Sequence, residues 1–381
     1  MPFEIPEKLI HFTRRWDFDR FVAYIFKQRE HENAKPLKKL GSVKRISEFL
    51  RDIGQRIIIP DGKIGWYPFA LNSGRELIKS VDPSVILAMG GPYTGLMVAA
   101  KLSKESGIPW VADILDPWTK NYSIKKFFPL SVVNERLERQ TLSSCSKICT
   151  VTEPWARELK QKYGDSCVDI VYNGYDDEDF VKTPILKERT PHRITAVYTG
   201  YLYRRQVPEV FFAALSQFVD GCPDAQVEVN FYGPMYPCFF FDYVKKYNLE
   251  NSVFYHGQVS YHEAVKLQKK ADLLLLFTWG ARGVLLAKTL SYIGAGRPIL
   301  SVGPEKDTTA EFIKEHRLGM ASNEVEYIKG FLMRLVREKK QCGKIAPLKI
   351  DDSLKTFFTY RNQAKKLSSV LEEVVSFHGR K

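Results

Sequence analysis

The 381-residue chain is 44% hydrophobic, a composition typical of a water-soluble globular protein, and it is long enough for two domains of ordinary size. Its net charge of +13, from 57 Lys/Arg and 44 Asp/Glu, favours an anionic partner such as nucleic acid, acidic lipid or a diphosphate. No stretch approaches the roughly 18 to 20 apolar residues that a membrane-spanning helix needs. Because the sequence has no arginine-rich tract, zinc finger or RNA-binding aromatic signature, we expect no nucleic-acid partner.

The six cysteines are scattered, and Cys145 and Cys149 form neither a CxxC pair nor a group with a nearby histidine. We therefore expect reduced structural thiols and no metal site. The first ten residues, MPFEIPEKLI, do not show the basic-then-apolar pattern of a secretory leader. The sequence thus predicts a cytoplasmic protein, with a peripheral position on the inner face of the membrane as an open alternative.

Short apolar runs alternate with longer amphipathic runs, the pattern of parallel strands joined by crossover helices. In the first half, it predicts strands at 85–89, 110–114, 147–152 and 169–172, and helices at 94–106, 131–143 and 153–163. Asn173-Gly174 interrupts the alternation, and the polar stretch that runs to Pro191 is the best candidate for an interdomain linker.

The alternation resumes at Ile194 and predicts a second domain of the same type. The predicted strands are 194–199, 226–232, 253–256, 273–277 and 298–302, and the predicted helices are 208–219, 261–270 and 286–293. An amphipathic segment at 352–375 completes the pattern and suggests a helix that returns to the first domain.

Three places in the second half have residues suited to a diphosphate, which such a fold binds at the carboxyl ends of its strands. In the first, a strand ends at Gly200 and is followed by Arg204 and Arg205, which suit close backbone approach and bidentate phosphate binding. In the second, Gly233 and the run 256–260 end two further strands. In the third, Lys288 lies near the start of a helix, a poor position for a cation unless an anion also binds there. A solvated basic turn, ordinary strand-end glycines and a surface lysine are the alternative explanations.

The run 256–277 (HGQVSYHEAVKLQKKADLLLLF) and the run 287–313 (AKTLSYIGAGRPILSVGPEKDTTAEFI) resemble the donor-binding domain of family 4 glycosyltransferases. The segments 59–71 (IPDGKIGWYPFAL) and 84–118, which ends in DILDPW, resemble the acceptor-side domain of one subgroup. The resemblance covers roughly residues 57–375 and has its most specific motifs in the carboxy-terminal half.

The resemblance implies an α/β protein with two Rossmann-like domains facing across a cleft, the GT-B fold. The expected boundaries are 1–175 for the acceptor-side domain, 176–350 for the donor domain and 351–381 for a helix that crosses back. Because the chain does not open with a buried strand and a glycine-rich loop, we expect the first domain to lack its first βαβ unit.

The resemblance also implies roles for individual residues, with Lys288 neutralising the donor diphosphate. We expect catalytic roles for Lys288, Arg205 and Asp116; donor contacts from Gly200, Arg204, Gly233, Val259, Ser260, Thr289 and Ser291; and acceptor-side contacts from Gly91, Tyr93 and Trp118. The implied reaction moves a sugar from a UDP-, GDP- or dTDP-sugar to a polysaccharide or lipid-linked glycan, with retention and with no metal ion or cofactor.

Three positions differ from the family pattern. Gly283 and Ser291 stand where the family often has a pair of glutamates, the second of which binds the donor ribose, and Leu115 stands where an arginine precedes Asp116. These differences favour a second hypothesis, a catalytically inactive GT-B subunit that acts as a binding or scaffold partner. A sugar-nucleotide epimerase of the same fold is a third hypothesis, but its carboxylates and histidine have no evident match.

A basic and aromatic cluster in the first half suggests contact with an anionic membrane, because lysine suits lipid headgroups and phenylalanine suits the interface. Its members are Lys125, Lys126, Phe127 and Phe128. An ordinary solvated loop with buried phenylalanines is the alternative.

Overall fold

The structure is a computed structural model that describes residues 6–16, 53–54, 56–120, 126–183, 193–203, 209–235 and 237–379. The chain divides into two compact units, one formed by 1–171 with 367–381 and the other by 172–366. Both units are parallel α/β structures of the Rossmann type, which confirms the predicted fold class. The expected absence of a first βαβ unit concerns amino-terminal residues that mostly lie outside the described ranges.

The first unit has a four-stranded parallel sheet in the order β1-β2-β3-β4. The strands are β1 (Ile86–Gly90), β2 (Trp110–Ile114), β3 (Lys147–Thr150) and β4 (Val168–Ile170), and the helices are α1 (Tyr67–Val81), α2 (Thr94–Ser106), α3 (Leu130–Leu142) and α4 (Glu153–Tyr163). Every residue of β2 is buried, as expected for a central strand covered on both faces.

The second unit has a six-stranded parallel sheet in the order β10-β9-β8-β5-β6-β7. Its strands are β5 (Arg193–Thr199), β6 (Gln226–Tyr232), β7 (Val253–Gly257), β8 (Leu273–Phe277), β9 (Ile299–Val302) and β10 (Gly319–Ser322). Its helices are α5 (Asp177–Lys182), α6 (Glu209–Gly221), α7 (Pro237–Lys246), α8 (Tyr261–Lys270), α9 (Ala287–Ala295), α10 (Thr308–Glu315), α11 (Val325–Cys342) and α12 (Asp352–Phe357). Successive strands are added on one side of β5 up to β7 and on its other side from β8 onwards. The carboxyl ends of β5 and β8, where the strand order switches, are therefore the expected place for a ligand.

The predicted linker is partly helical. Asp176 caps α5 by accepting a hydrogen bond from the backbone N–H of Glu178 at 3.0 Å, and Phe180 in that helix is buried in the second unit. Residues 184–192 of the same stretch lie outside the described residues.

The amphipathic segment at the carboxyl end forms two helices, α12 and α13 (Tyr360–His378), instead of one. At the break, the backbone N–H of Tyr175 donates to Phe358 at 3.0 Å, and that of Tyr360 donates to Tyr175 at 2.9 Å. A Cβ on Gly174 would lie 2.8 Å from the Tyr360 nitrogen, so glycine permits this close contact. Beyond the break, α13 continues into the first unit, where Val370 and Val374 pack against Val111.

Candidate functional site

Three neighbouring strands of the second unit end in glycines that lie side by side. The backbone N–H of Gly200, after β5, donates to the Tyr232 carbonyl at 2.8 Å, and that of Gly233, after β6, donates to the carbonyl of Gly257 at 2.7 Å. All three glycines have positive φ angles, of 109°, 121° and 76° in chain order. The carboxyl edge of the sheet is therefore a bare backbone surface that a ligand can approach closely.

Lys288, at the start of α9, extends to this glycine edge. Its ammonium donates to the phenolic oxygen of Tyr198 at 2.7 Å and lies 4.1 Å from the centroid of the same ring. A Cβ on Gly200 would lie 3.1 Å from the Lys288 Nζ atom, so the ammonium is directly beside the turn. The structure thus brings together Lys288, Gly200 and Gly233, which were selected from the sequence.

The Lys288 ammonium is desolvated, and burial lowers the pKa of this residue to about 7. No ion pair joins Lys288 to a carboxylate within the described part of the chain. Its partner is instead the phenol of Tyr198, which is fully buried and whose own pKa is raised by burial. A buried lysine without an acidic partner is poised to receive an anion.

The loop before α9 is held by the first turn of α10. Asp307 is buried and accepts hydrogen bonds from the backbone N–H groups of Gly280 at 3.0 Å and Ala281 at 3.1 Å. Burial raises the pKa of Asp307, and hydrogen bonds from four backbone N–H groups oppose that rise. The hydroxyl of Thr308 accepts from Gly283 at 2.8 Å, which fixes the backbone at the position of the family's first glutamate.

The remaining donor-side residues differ in their hydrogen bonding, and two of them lie outside the described residues. The Ser291 hydroxyl donates to the carbonyl of Lys288 at 2.9 Å, and the Ser260 hydroxyl caps α8 by accepting from Glu263 at 3.2 Å. The Thr289 hydroxyl is buried and has no hydrogen-bond partner among the residues that the structure describes. Val259 is half-buried just after β7. Arg204 and Arg205 lie outside the described residues.

Two aromatic contacts at this edge were missed by sequence reasoning. Tyr198 is the hydrogen-bond partner of Lys288, and the exposed ring of His256 stacks on Tyr232 with centroids 4.5 Å apart. His256 Nε2 also lies 2.5 Å from the Asn230 side-chain oxygen. The signal in the sequence was that Tyr198, Tyr232 and His256 all lie within three residues of a strand-end glycine.

The first unit contains a separate cleft of about 310 Å³ at the carboxyl edge of its sheet. Its lining includes Asp116, selected as a catalytic candidate, and Gly91, Tyr93 and Trp118, selected as acceptor-side candidates. Asp61, Lys63, Lys126 and Glu135 also line it. Carboxylates, ammonium groups and aromatic rings therefore meet in one concave site, as in sites that bind polar small molecules.

Aromatic packing and one carboxylate shape this cleft. The rings of Tyr93 and Trp118 stack with centroids 5.1 Å apart, and the Trp118 indole donates to Asn134 at 3.1 Å. Asp61 accepts from the backbone N–H of Thr94 at 3.0 Å and from its hydroxyl at 2.9 Å, so it satisfies the N-terminus of α2. The DGK part of the segment at 59–71 thus joins a loop to a helix 33 residues away.

Two carboxylates near the end of β2 have raised pKa values. Burial raises the pKa of Asp113, which is 7% exposed, to about 6, and partial desolvation raises the pKa of Asp116 at the cleft rim. Leu115, where the family has an arginine, is half-buried between them. The side-chain oxygens of Asp116 can accept a hydrogen bond from a hydroxyl group in the cleft.

The members of the basic and aromatic cluster have different surroundings in the first unit. The Lys126 ammonium donates to the carbonyl of Ile58 at 2.5 Å and lines the cleft, and desolvation lowers the pKa of this lysine. Phe127 and Phe128 are exposed by 48% and 83%, which corrects the alternative in which they are buried. Lys125 lies outside the described residues.

Among the described residues, no group of three or more His, Cys, Asp or Glu side chains could hold a metal ion. None of the helices within the described ranges is both long and apolar enough to cross a membrane. The five described cysteines are free thiols.

Comparison with known proteins agrees with the geometry of both units. Residues 27–179 match the family described as Glycosyltransferase Family 4. Over these residues the chain is similar to that family. The family match falls almost entirely in the first unit, whereas the carboxy-terminal half was expected to carry most of the evidence. No curated protein sequence matches the chain significantly.

Solved GT-B structures resemble about four fifths of the chain at low sequence identity. HepE from Anabaena, in complex with UDP and glucose, is 15% identical with a TM-score of 0.60, over 80% of this chain and 82% of its own. Sucrose-phosphate synthase from Thermosynechococcus elongatus is 13% identical with a TM-score of 0.60, over 82% of this chain and 79% of its own. The lipopolysaccharide outer core galactosyltransferase WaaB is 14% identical with a TM-score of 0.55, over 81% and 80%. These likenesses show that the chain has the GT-B fold.

Proposed function

We propose that this protein transfers a sugar from a nucleotide-sugar donor to a polysaccharide or lipid-linked glycan. The observation that carries the proposal is the position of Lys288. A desolvated ammonium without an acidic partner lies beside Gly200, on a glycine edge formed by three neighbouring strands. A nucleoside diphosphate has the charge to neutralise this ammonium, and HepE, of similar fold, was solved with UDP.

The chemistry that such a site supports is stabilisation of the leaving group. As the bond between sugar and diphosphate breaks, negative charge grows on the diphosphate, and a fixed ammonium in a desolvated position stabilises that charge. We infer retention of configuration, with the leaving diphosphate assisting attack by the acceptor on the same face and with no metal ion required. Gly233 and Val259 offer backbone groups near the expected position of the base, which we leave open among uracil, guanine and thymine.

The cleft of the first unit is the proposed acceptor site. Asp116 at its rim can accept a hydrogen bond from the attacking hydroxyl, and Tyr93 with Trp118 gives a flat aromatic surface that suits a sugar ring. We propose a cytoplasmic enzyme whose first unit also touches anionic membrane. The support is a group of exposed apolar residues at the start of α3: Phe127, Phe128, Val132 and Val133.

The test is turnover of UDP-, GDP- and dTDP-sugars, measured as nucleoside diphosphate release with and without glycan acceptors. We expect one donor to be used, also after EDTA treatment, and an NMR spectrum of the product that shows the donor's anomeric configuration. Lys288→Met should lower kcat on the order of 100-fold to 1000-fold. Lys329→Met is the matched control, since Lys329 lies on α11 and pairs with Glu326 of the same helix. A folded protein that turns over none of these donors would refute the enzymatic proposal.

One observation favours the second candidate, an inactive binding subunit. Gly283 and Ser291 put no carboxylate at the two glutamate positions of the family, the second of which binds the donor ribose. The Ser291 hydroxyl is used within its own helix. This candidate predicts binding of a nucleoside diphosphate without turnover of any donor, together with a partner protein that restores activity.

A further inference from the structure

We propose that Tyr198 is a positioning residue that holds the Lys288 ammonium at the Gly200 turn, and that binding of a nucleoside diphosphate there is coupled to uptake of one proton by Lys288. This inference rests on the proposed donor site and goes beyond it. It assigns a role to a buried tyrosine and a pH dependence to ligand binding.

The geometry makes Tyr198 an acceptor for the lysine. Its hydroxyl hydrogen is directed to the Tyr201 carbonyl at 2.9 Å, which leaves an oxygen lone pair for the Lys288 ammonium at 2.7 Å. The ring is fully buried and packs against Phe231 and Phe277, with centroids 5.6 and 5.3 Å away. Because the phenol is fixed in the core, the position of the lysine head is fixed as well.

The surroundings of Lys288 explain why it would take up a proton when a diphosphate binds. A neutral phenol stabilises an ammonium less than a carboxylate would, and burial lowers the pKa of Lys288 to about 7. At about pH 8, roughly nine-tenths of the ligand-free protein then has a neutral amine at this position. A bound diphosphate favours the charged form, so the amine takes a proton from solvent to become the ammonium that pairs with the anion.

The titratable groups on the neighbouring elements do not supply that proton. Tyr198 comes from β5, Tyr201 and Tyr203 follow in the turn, Tyr292 is on the same helix, and Arg282 is in the preceding loop. Burial raises the pKa of Tyr198 and of Tyr292. Tyr232, at the end of β6, also has a pKa raised by burial. Arg204 and Arg205 lie outside the described residues.

The experiment is calorimetric titration of the full chain with UDP at about pH 8, in two buffers of different ionisation enthalpy. The terminal phosphate of UDP has a pKa near 6 and is already ionised, so it takes up little proton itself. We expect the apparent enthalpy to differ between the buffers by an amount that corresponds to about half to one proton taken up per UDP. Uptake should decline towards about pH 6, where free Lys288 is already charged.

Two variants assign the proton and the positioning role. UDP that binds Lys288→Arg, at whatever affinity, should bring no proton uptake, because arginine stays charged at every accessible pH. Tyr198→Phe should weaken UDP binding about tenfold and move half-maximal uptake to lower pH, because the ammonium loses its acceptor. Tyr175→Phe is the control, since it removes another buried phenol of the same unit, one that donates to Lys355.

The outcomes separate the two proposals. If UDP binds with the same enthalpy in both buffers, or if Lys288→Arg still takes up the proton, the coupling is refuted while the donor site stands. If Tyr198→Phe, with an unchanged unfolding temperature, binds UDP as the unmodified protein does, the positioning role is refuted. If no nucleoside diphosphate binds, the proposed function fails together with the coupling.

Discussion

A Cβ atom on Gly233 would lie 2.4 Å from the carbonyl oxygen of Gly200. The two turns that end β5 and β6 are therefore in direct backbone contact, and Gly233 has no room for a side chain. Since Lys288 lies against the other side of Gly200, the packing of Gly233 determines where the backbone meets the ammonium.

Gly233→Ala should therefore weaken UDP binding by more than tenfold and destabilise the protein by about 2 to 4 kcal/mol, through the clash and the positive φ angle. Gly257→Ala is a matched control, because Gly257 also has a positive φ but no atom would lie within 4 Å of an added Cβ. It should cost only about 1 kcal/mol. UDP titration and urea unfolding measure both effects, and equal losses in the two variants would contradict the role of the contact.

Asp113 makes the stability of the first unit depend on pH. Its folded pKa of about 6 lies above the ordinary value of 3.8, so the native state binds more protons than the unfolded state between these values. The free energy of unfolding should therefore fall as pH rises through this window, by at most about 3 kcal/mol. We expect Asp113→Asn to be more stable than the unmodified protein above about pH 6.

The same comparison at low pH is the control for Asp113. Below about pH 3 the carboxyl is largely protonated in both states, and the advantage of Asp113→Asn should disappear. Urea unfolding followed across this range measures the difference. If the free energy of unfolding of Asp113→Asn exceeds that of the unmodified protein by the same amount at every pH, burial of the charge is not the cause.

The sequence predicted local structure well and contacts across the chain poorly. Predicted and observed bounds agree for β6 and α8, because each has the strict period of its type and clear end signals. The partnership of Tyr198 with Lys288 joins residues 90 positions apart and has no periodic signature. The inward position of Lys126 was equally unpredictable, because its acceptor, the Ile58 carbonyl, lies 68 residues away in the sequence.

The position of the candidate site was predictable from the sequence, but the environment of its lysine was not. Strand-end glycines and a lysine near a helix start indicate where a diphosphate would bind, because parallel strands share one carboxyl edge. Desolvation of the lysine was not predictable, since it depends on how the surrounding elements pack. The break at Thr359 was missed for the same reason, because it is imposed by backbone contact with Tyr175 and not by a helix-breaking residue.

The exposed apolar residues at the start of α3 should bind the protein to anionic membranes. Phe128→Ser, at the most exposed position of this group, should reduce binding to vesicles of phosphatidylcholine with phosphatidylglycerol by about tenfold. Sedimentation with vesicles measures it, and added salt should also weaken it. Tyr327→Ser, at an exposed aromatic residue of α11, is the control. Equal vesicle binding by both variants would argue against this surface.

A substitution at Ser291 tests whether the proposed donor site lacks only the ribose-binding glutamate of the family pattern. Ser291 lies one turn after Lys288 on α9, and its hydroxyl donates to the Lys288 carbonyl. A glutamate there supplies the carboxylate that, by resemblance, binds two ribose hydroxyls, so Ser291→Glu should tighten UDP binding by roughly 5-fold to 50-fold. Ser291→Gln, of nearly the same shape without the charge, should gain much less. If Ser291→Glu weakens UDP binding instead, the ribose lies elsewhere, and the loop pinned by Asp307 becomes the place to search for its partner.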